Sequence, residues 1–300
     1  MYLEKIIGFI DILKKKKTFS FEVFPPKKGQ EEDLNKLFNT IDMVKVFKPD
    51  FISVTYGAGG NNSKNTATIA DYLKNKAGIE PLAHLTGGPS TKEEVLVVLK
   101  DLKSKGIENI LALRGDKPKD QDIDYCKEFK HATDLMDFIK DQGYDFSLAG
   151  ACYPEGHTEA DTLYDDLLNL KKKQDSGAEF LITQVFYDNQ YFYRLLREAR
   201  KIGITIPIIP GIMPLTTKAS VERTVRLTGA AVPLTLRAMI ERFKDDKEAI
   251  REIGINYAVS QILDLLANDV DGIHLYILNN FNNAKEIYEK ISHVLEKEMK

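Results

Sequence analysis

The sequence predicts an α/β fold in which eight parallel strands close into a (β/α)8 barrel, the TIM-barrel fold, as a single domain over residues 1–300. Short apolar segments recur along the whole chain, and helical patterns of about 15–20 residues separate most of them. Strands that alternate with helices form βαβ units and a parallel sheet. Eight such strands in a chain of 300 residues favour a closed barrel over an open doubly wound sheet.

The expected strands are apolar on both faces, as in 181–186, which suits a sheet that helices cover on the outside. They are predicted at 18–24, 50–55, 80–85, 109–113, 146–151, 180–186, 205–210 and 272–277. Helical spacing of apolar residues predicts helices such as 31–47, 64–76, 91–105, 132–142 and 160–176. The long gap before the last strand predicts further helices around 217–228, 233–243 and 246–268.

Composition restricts the class of protein. The net charge of −3 and the pI near 6.0 create no overall field for binding nucleic acid or an anionic membrane. The basic run at 14–17 is interpreted as a solvated helix end rather than a binding patch. Cys126 and Cys152 are the only cysteines, which fits a reduced protein better than a disulfide scaffold or a structural zinc site. Because the sequence has no apolar run of about 18 residues and no signal-peptide core, a soluble, cytoplasmic protein is predicted.

The first strand carries the most informative residue of the chain. The run 19–26 reads as a strand of Phe and Val that two prolines stop abruptly, with Glu22 near its carboxyl end. A carboxylate there is costly to bury unless it has a partner or a chemical role. Barrel enzymes place their chemistry at this end of the strands. Glu22 is therefore a candidate functional residue, and a structural carboxylate paired with a lysine is the alternative.

Polar residues also follow the other predicted strands. Since successive strand ends converge on one barrel mouth, these residues are expected to line a single pocket. They are Thr55, Tyr56, His84, Arg114, Gly115, Asp116, Tyr153, Glu155, Gln184 and Tyr276. Purely structural roles stay open for some of these residues. His84 could be a hydrogen-bonded core residue, and Arg114 could form a salt bridge with Asp116 within the loop.

Three further patterns suggest a ligand without specifying it. The glycine-rich loop at 55–60 lacks the spacing of a dinucleotide fingerprint. The loop at 150–157 gathers Tyr153, Glu155 and His157, but no second group has metal-ligand spacing, so no metal is expected. The predicted helix after it carries Asp166, Asn169, Lys172 and Lys173, which fit a solvated face or contacts to a ligand over the helix start.

Familiar catalytic motifs are missing from the sequence. It has no Ser-His-Asp arrangement, no P-loop GK[ST] and no HExxH, which argues against common hydrolases, P-loop kinases and zinc proteases. A barrel mouth with a carboxylic acid, a histidine and small-residue loops, but without these motifs, indicates chemistry carried by a bound organic cofactor.

Seven ordered motifs together resemble the methylenetetrahydrofolate reductase family, from about residue 18 to 279. They are SFEVFPPK at 20–27, VTYGAGG at 54–60, LAHLTG at 82–87, LALRGDKP at 111–118, ACYPEGH at 151–157, DLLNLKKKQDSGAEFLITQVFYD at 166–188 and PIIPGIMPL at 207–215. The resemblance implies an FAD-binding barrel of the short bacterial form. Such an enzyme reduces 5,10-methylenetetrahydrofolate to 5-methyltetrahydrofolate in one-carbon metabolism, with NADH or NADPH as co-substrate, by ping-pong hydride transfer. The resemblance also implies a homo-oligomer.

The resemblance assigns roles residue by residue. Glu22 would be the general acid that protonates N5 of the folate, which predicts a raised pKa for its carboxyl group. Asp116 would lie near the flavin pyrimidine edge and the pterin. Flavin contacts are implied for Thr55, Tyr56, His84, Arg114, Gly115, Asp116, Ala132, Tyr153, His157, Asp166, Asn169, Lys172 and Lys173. Substrate contacts are implied for Glu22, Asp116, Gln184 and Tyr276.

The sequence departs from the family pattern at three positions. Lys172 stands where many relatives carry arginine, so a single ammonium replaces a fork of donors. Asn280 stands where the family usually has an arginine that meets the glutamate tail of folate, and it cannot make that charged contact. Ser220 replaces a glutamine that contacts substrate in some relatives.

Two alternative functions stay open from the sequence. One is another flavin-dependent barrel dehydrogenase, such as a proline dehydrogenase, against which Glu22 and Gln184 argue. The other is a non-autonomous flavin- or folate-binding subunit of a methyl-transfer assembly, for which Asn280 gives a reason. The choice among NADH, NADPH and a protein electron donor is also open, because no Rossmann loop holds the nicotinamide.

Overall fold

The computed structural model describes residues 12–13, 15–26, 31–56, 63–116 and 125–299. Their strands are β1 (Thr18–Val23), β2 (Phe51–Val54), β3 (Glu80–Thr86), β4 (Asn109–Leu113), β5 (Ser147–Cys152), β6 (Ala178–Thr183), β7 (Ile208–Ile209), β8 (Gly211–Ile212) and β9 (Gly272–Tyr276). Their helices are α1 (Glu31–Val44), α2 (Ser63–Tyr72), α3 (Lys92–Ser104), α4 (Ala132–Asp141), α5 (Leu163–Asp175), α6 (Asn189–Lys201), α7 (Lys218–Thr228), α8 (Leu234–Arg242), α9 (Lys247–Ala267) and α10 (Phe281–Glu298). A 3-10 turn (Lys45–Phe47) follows α1, and a π-helical turn (Leu73–Ala77) follows α2.

All strand pairs are parallel, in the order β7-β6-β5-β4-β3-β2-β1-β9-β8. The predicted seventh strand at 205–210 is found as β7 and β8, on either side of Pro210. Proline has no N–H to give to a sheet, so a strand is expected to break there. β7 pairs with β6 and β8 pairs with β9, while the Pro210 carbonyl accepts from the His274 N–H at 2.9 Å. The broken strand thus closes the ring, and the predicted (β/α)8 barrel is confirmed.

Alternation along β1 separates the inside of the barrel from the outside. Phe19, Phe21 and Val23 pack outward into a core with residues of α1 and α10. Ser20 and Glu22 alternate with them and therefore face the barrel interior. Below these polar residues the barrel is filled by a second apolar cluster that includes Phe51, Leu82, Leu111, Phe180 and Ile209. The interior is a packed core that becomes polar toward the mouth, as expected for this fold.

Most element boundaries lie within two or three residues of the predicted ones. The sixth strand is the main difference, since it runs from Ala178 to Thr183 rather than over 180–186, so that Gln184 follows the strand directly. Two helices were not predicted from the sequence: α6, which has a strong apolar stripe, and the long α10. Residues 57–60 of the predicted glycine-rich loop, Lys14, Lys27 and the Lys117-Pro118 pair lie outside the described residues.

No helix in the described part of the chain combines the length and the apolar character that crossing a bilayer requires. The longest, α9, carries charged residues in its first two turns and again at Asp264, and it buries one side against the barrel.

Helix α9 approaches the barrel most closely at Gly254. A Cβ atom at this position would lie 1.7 Å from the Leu215 carbonyl oxygen, a backbone atom that no side-chain rotation can move away. Leu215 is buried and follows β8, so this contact holds α9 against the broken strand that closes the ring.

Gly254→Ala is therefore expected to lower the free energy of unfolding by about 2–3 kcal/mol or more, because overpacking against rigid backbone costs that much. Urea unfolding followed by circular dichroism measures it. Ser260→Ala, an exposed substitution on the same helix, serves as the control and should change stability by less than about 0.5 kcal/mol. Equal effects of the two substitutions would contradict the close approach.

Candidate active site

Glu22 belongs to a row of polar side chains inside the upper barrel, here called the interior polar row: Ser20, His274, Ser53 and Glu22. Ser20 Oγ lies 2.8 Å from His274 Nδ1, and His274 Nε2 lies 3.3 Å from Ser53 Oγ. The Ser53 hydroxyl donates to Glu22 Oε2 at 3.3 Å. Sheet register produces the row, because Ser20 pairs with His274 and Glu22 pairs with Ser53 across neighbouring strands.

The interior polar row is excluded from water. Ser20 and Ser53 are 0% exposed, His274 is 1% exposed and Glu22 is 7% exposed. Burial raises the pKa of Glu22 to about 8, and the hydrogen bond from Ser53 offsets only part of that rise. The shift has the direction that the sequence predicts. At neutral pH, Glu22 is therefore a protonated carboxylic acid that can give up its proton.

His84 from β3 completes the surroundings of Glu22. Its Nε2 lies 3.5 Å from Glu22 Oε2, and burial lowers the pKa of His84 to about 3. Although this distance is short enough for an ion pair, burial keeps both groups neutral, so no charge pairing holds them. His84 Nε2 is also buried without a hydrogen-bond partner among the described residues. A buried polar atom of this kind needs a partner, and a ligand at the barrel mouth would supply one.

Burial acts on His274 in the same direction. It lowers the pKa of His274 to about 3, with a smaller contribution from nearby His84. The ring stacks on Phe51 at 5.6 Å and meets Tyr276 edge to face at 5.1 Å. His274 is thus a neutral imidazole whose ring is held on two sides by aromatic side chains.

A second group of predicted residues meets where the loops after β4 and β5 approach each other. Arg114 binds both carboxylate oxygens of Glu159, at 2.5 and 2.8 Å. Tyr153 packs edge to face on His157 at 4.6 Å. Burial raises the pKa of Tyr153 to about 12, and the nearby charge of Asp116 adds to the rise. The alternative interpretation, a loop salt bridge between Arg114 and Asp116, is not found among the described residues, since Arg114 pairs with Glu159 instead.

Helix α5 divides its predicted residues between two environments. Asp166 is buried and accepts a hydrogen bond from the His157 N–H at 3.2 Å. Lys173 donates to the Ala151 carbonyl at 2.6 Å, and burial lowers the pKa of its ammonium group. Asn169 and Lys172 are exposed, and Lys172 Nζ donates a hydrogen bond to Asn169 Oδ1 at 3.0 Å. The helix therefore presents a buried carboxylate and a half-buried ammonium to the barrel, rather than a fully solvated face.

The remaining predicted residues lie around the same mouth. Thr55 and Tyr56 are half-buried directly after β2, and Ala132 begins α4. The Gly115 backbone is left-handed, with φ of +86°, and its carbonyl accepts from the Tyr125 hydroxyl. Tyr276 donates to the Thr183 carbonyl at 2.6 Å, directly before Gln184. Burial raises the pKa of Tyr276 well above its usual value, so its phenol stays neutral.

Sequence reasoning missed Ser20, Ser53 and His274, which complete the surroundings of Glu22. Inward-facing positions alternate along each strand, so the polar residue two positions before Glu22 was the available signal. Across strands, the partner is known only once the register is known.

Sequence reasoning also missed Asn279, which joins the end of β1 to the segment after β9. Its side-chain amide accepts from the Phe24 N–H at 2.9 Å and donates to the Phe24 carbonyl at 2.8 Å. Asn279 adopts a left-handed backbone with φ of +56°, a conformation that asparagine tolerates. Its neighbour Asn280 caps α10, because its side chain accepts from the Asn283 N–H at 3.3 Å. Ser220 likewise belongs to a capping box with Thr217 at the start of α7.

Comparison with known proteins gives a consistent family. A family model described as methylenetetrahydrofolate reductase matches residues 7–292. A rice protein called probable methylenetetrahydrofolate reductase (NADH) is 37% identical over 279 residues, which cover 89% of this chain and 47% of the rice protein. The 5,10-methylenetetrahydrofolate reductase of Escherichia coli is 36% identical over 260 residues, which cover 87% of this chain and 86% of that protein. The chain spans about half the length of the plant relatives that it matches.

Among solved structures, an uncharacterized Clostridium thermocellum protein that binds two copies of 5-methyl-5,6,7,8-tetrahydrofolic acid superposes with a TM-score of 0.68. The match covers 95% of this chain and 98% of that one, at 17% sequence identity. At that identity the likeness supports the barrel fold alone.

The raised pKa of Glu22 predicts a pH dependence of stability. The unfolded carboxyl group titrates near 4.5 and the folded one near 8, so the folded state holds the extra proton between these values and loses stability as pH rises through them. The two buried histidines have the opposite effect: their pKa values are lowered from 6.5 to about 3, so the folded state gains stability as pH rises between these values. Relative to the wild type, Glu22→Gln should gain stability from pH 5 to pH 9, by up to about 5 kcal/mol.

Urea unfolding of both proteins at pH 5, 7 and 9 measures this difference, and the comparison cancels the contribution of the histidines. Parallel pH profiles for the two proteins would mean that Glu22 is ionised in the folded state at neutral pH.

Proposed function

The chain belongs to the methylenetetrahydrofolate reductase family, and from this premise we propose that it reduces 5,10-methylenetetrahydrofolate to 5-methyltetrahydrofolate. The observation that carries the proposal is Glu22, a carboxylic acid kept protonated at neutral pH at the mouth of the barrel. NADH or NADPH would supply the electrons and bound FAD would pass them on. The name of the rice relative, which specifies NADH, favours NADH over the other donors.

The substrate chemistry explains why a neutral acid is needed. The methylene carbon bridges N5 and N10 in an aminal, which is a poor hydride acceptor. When the bond from carbon to N10 breaks, the lone pair of N5 forms an iminium ion and N10 must receive a proton. This atom balance corrects the sequence-based assignment of the proton to N5. A general acid with a pKa near the working pH typically accelerates such a step by about 100- to 10,000-fold.

The residues at the mouth fit an FAD molecule. His84 Nε2 is a buried polar atom that needs a partner, and Lys173 and Arg114 are cations close to the loops after β4 and β5. FAD bound there would supply the chemistry of hydride transfer between the nicotinamide and the folate. His84, Tyr153, Asp166 and Lys173 would orient it, together with the other residues that the family resemblance implies. We propose on this basis that the barrel over residues 1–300 is the FAD-binding catalytic domain.

Other residues of the mouth have roles that follow from their protonation and position. Tyr276 stays neutral, and its hydroxyl is fixed on the Thr183 carbonyl, so its ring would form a rigid wall for the pterin. Gln184, directly after Thr183, would offer its amide to the pterin edge. Asp116 is exposed beside Tyr153, where its charge would disfavour an anionic reduced flavin and so favour hydride release.

A single mouth for two flat ligands supports ping-pong exchange. The predicted contacts of FAD and folate lie around one opening of the barrel, so nicotinamide and folate would occupy the same place in turn. A homo-oligomer stays a prediction.

Stopped-flow absorbance of the purified protein tests the proposal in two halves. Flavin bleaching on mixing with NADH or NADPH follows the first half, and reoxidation by methylenetetrahydrofolate follows the second. Glu22→Gln should slow the second half by about 100-fold or more, because it removes the proton donor, and should leave flavin bleaching within about twofold.

Glu80→Gln is the matched control, since Glu80 is a strand carboxylate at the opposite end of the barrel, paired with Lys74. It should slow neither half. The proposal fails if the wild-type protein takes up no FAD, or if Glu22→Gln turns over folate at the wild-type rate.

Asn280 offers a separate test of the folate tail. An arginine there would add a charge-assisted contact to the tail carboxylates but would remove the helix cap of α10. Asn280→Arg is expected to lower the KM for folate severalfold while lowering stability by about 1 kcal/mol. Asn280→Ala, which removes the cap alone, is the control. An unchanged KM in Asn280→Arg would mean that another cation already meets the tail.

A further inference from the structure

The interior polar row continues behind Glu22, away from the side on which substrate would approach. Ser53 touches Glu22 and His274, and His274 touches Ser20, so the acid stands at one end of a continuous series of hydrogen bonds. The other end is closed: the Ile273 carbonyl lies 3.3 Å from Ser20 Oγ, but the one hydroxyl proton of Ser20 goes to His274 Nδ1, which is closer at 2.8 Å. Members of the row other than Glu22 are at most 1% exposed, so the row has no contact with water at that end.

With Ser53 as the donor to Glu22 Oε2, the number of available protons sets the direction of the other hydrogen bonds. Ser53 has one hydroxyl proton, and it is given to Glu22 Oε2. Ser53 Oγ must then accept from His274 Nε2, which requires the tautomer that carries its proton on Nε2. His274 Nδ1 is left as an acceptor, and the Ser20 hydroxyl fills it at 2.8 Å. Each donor in the row therefore points toward Glu22.

The position of the His274 ring makes this direction rigid. Phe51 stacks against one face and Tyr276 meets the ring edge to face, so the imidazole cannot rotate without displacing buried aromatic side chains. The titratable groups that face Glu22 are His84 from β3 and Tyr276 and His274 from β9, and burial keeps all of them neutral near pH 7.

We propose that His274 is a positioning residue for Glu22: through Ser53, it commits Oε2 to accept a hydrogen bond and so reserves Oε1 for the acidic proton. This inference rests on the proposed function for its chemical meaning. Because the row ends at Ser20, which has no contact with water, it delivers no proton. It orients the acid before the reaction, and it stabilises the carboxylate that remains after the proton has left.

Four variants separate this role from a purely structural one. Ser53→Ala removes the donor to Glu22. His274→Phe keeps the aromatic stacking but removes both ring nitrogens, and His274→Gln restores an N–H and a carbonyl at similar positions. His293→Phe, on the exposed side of α10, is the matched control for the loss of an imidazole.

The first measurement needs no substrate. Infrared difference spectra over a pH titration follow the protonated carboxyl band of Glu22, which is assigned by its absence in Glu22→Gln. Without the hydrogen bond that favours the carboxylate, the midpoint should move to higher pH by about 1 pH unit in Ser53→Ala. His274→Phe should show a smaller shift in the same direction, and His274→Gln and His293→Phe should titrate like the wild type.

The second measurement is the pH profile of flavin reoxidation by methylenetetrahydrofolate. The rate of reoxidation falls at high pH, and the midpoint of this fall should shift to higher pH, more in Ser53→Ala than in His274→Phe. At neutral pH, His274→Phe should react about tenfold more slowly than the wild type, because a mispositioned acid transfers its proton less efficiently. A structural role alone would reduce the yield of folded protein without moving the profile.

The possible failures can be distinguished. If folded His274→Phe and Ser53→Ala titrate like the wild type in the infrared, the positioning role is excluded, whatever the enzyme catalyses. Should His274→Phe fail to fold, an unshifted midpoint in Ser53→Ala still overturns the inference. If the midpoints shift as expected but the wild-type protein does not reduce methylenetetrahydrofolate, the proposed function fails and the coupling to Glu22 stands.

Discussion

The register between β9, β1 and β2 is the constraint on which the site depends. It sets Ser20 beside His274 and Glu22 beside Ser53 in a barrel interior that excludes water. Exclusion of water raises the pKa of Glu22 and lowers that of both nearby histidines, so three ionisable groups stand together without a net charge. A slip of one residue would turn Glu22 outward into the apolar layer around Phe19 and Phe21 and would remove the acid from the mouth.

Much of this arrangement can be predicted from the sequence, because its signals are local. Apolar runs separated by helical periodicity predict the strands and the barrel, and residues directly after strands must lie at the mouth. The break at Pro210 could also have been read from the sequence, since proline cannot continue a sheet ladder. The end of β6 was placed too late, because the apolar stretch continues past Thr183 into Val185 and Phe186, which pack in the core although the strand has ended.

What the sequence could not supply is mostly pairing between distant residues. The choice of Glu159 as partner of Arg114, and of Ala151 as acceptor for Lys173, depends on how loops and helices meet in space. The roles of Asn280 and Ser220 are instructive in another way. Both depart from the pattern that the resemblance implies, and both have a structural role: Asn280 caps α10, and Ser220 is the partner of Thr217 in the capping box of α7.

The clamp between Asn279 and Phe24 has a consequence for biosynthesis. It joins residues 255 positions apart, and His274 and Tyr276 reach the first strand from the same distant segment. A nascent chain leaves the ribosome from its N-terminus, so β1 lacks its partner β9 until the segment that carries Asn279, 255 positions after Phe24, has also been made. During that interval Glu22 is an ordinary hydrated carboxylate. The acid acquires its unusual proton affinity only when the final strand docks, so any truncated translation product that ends before β9 lacks it.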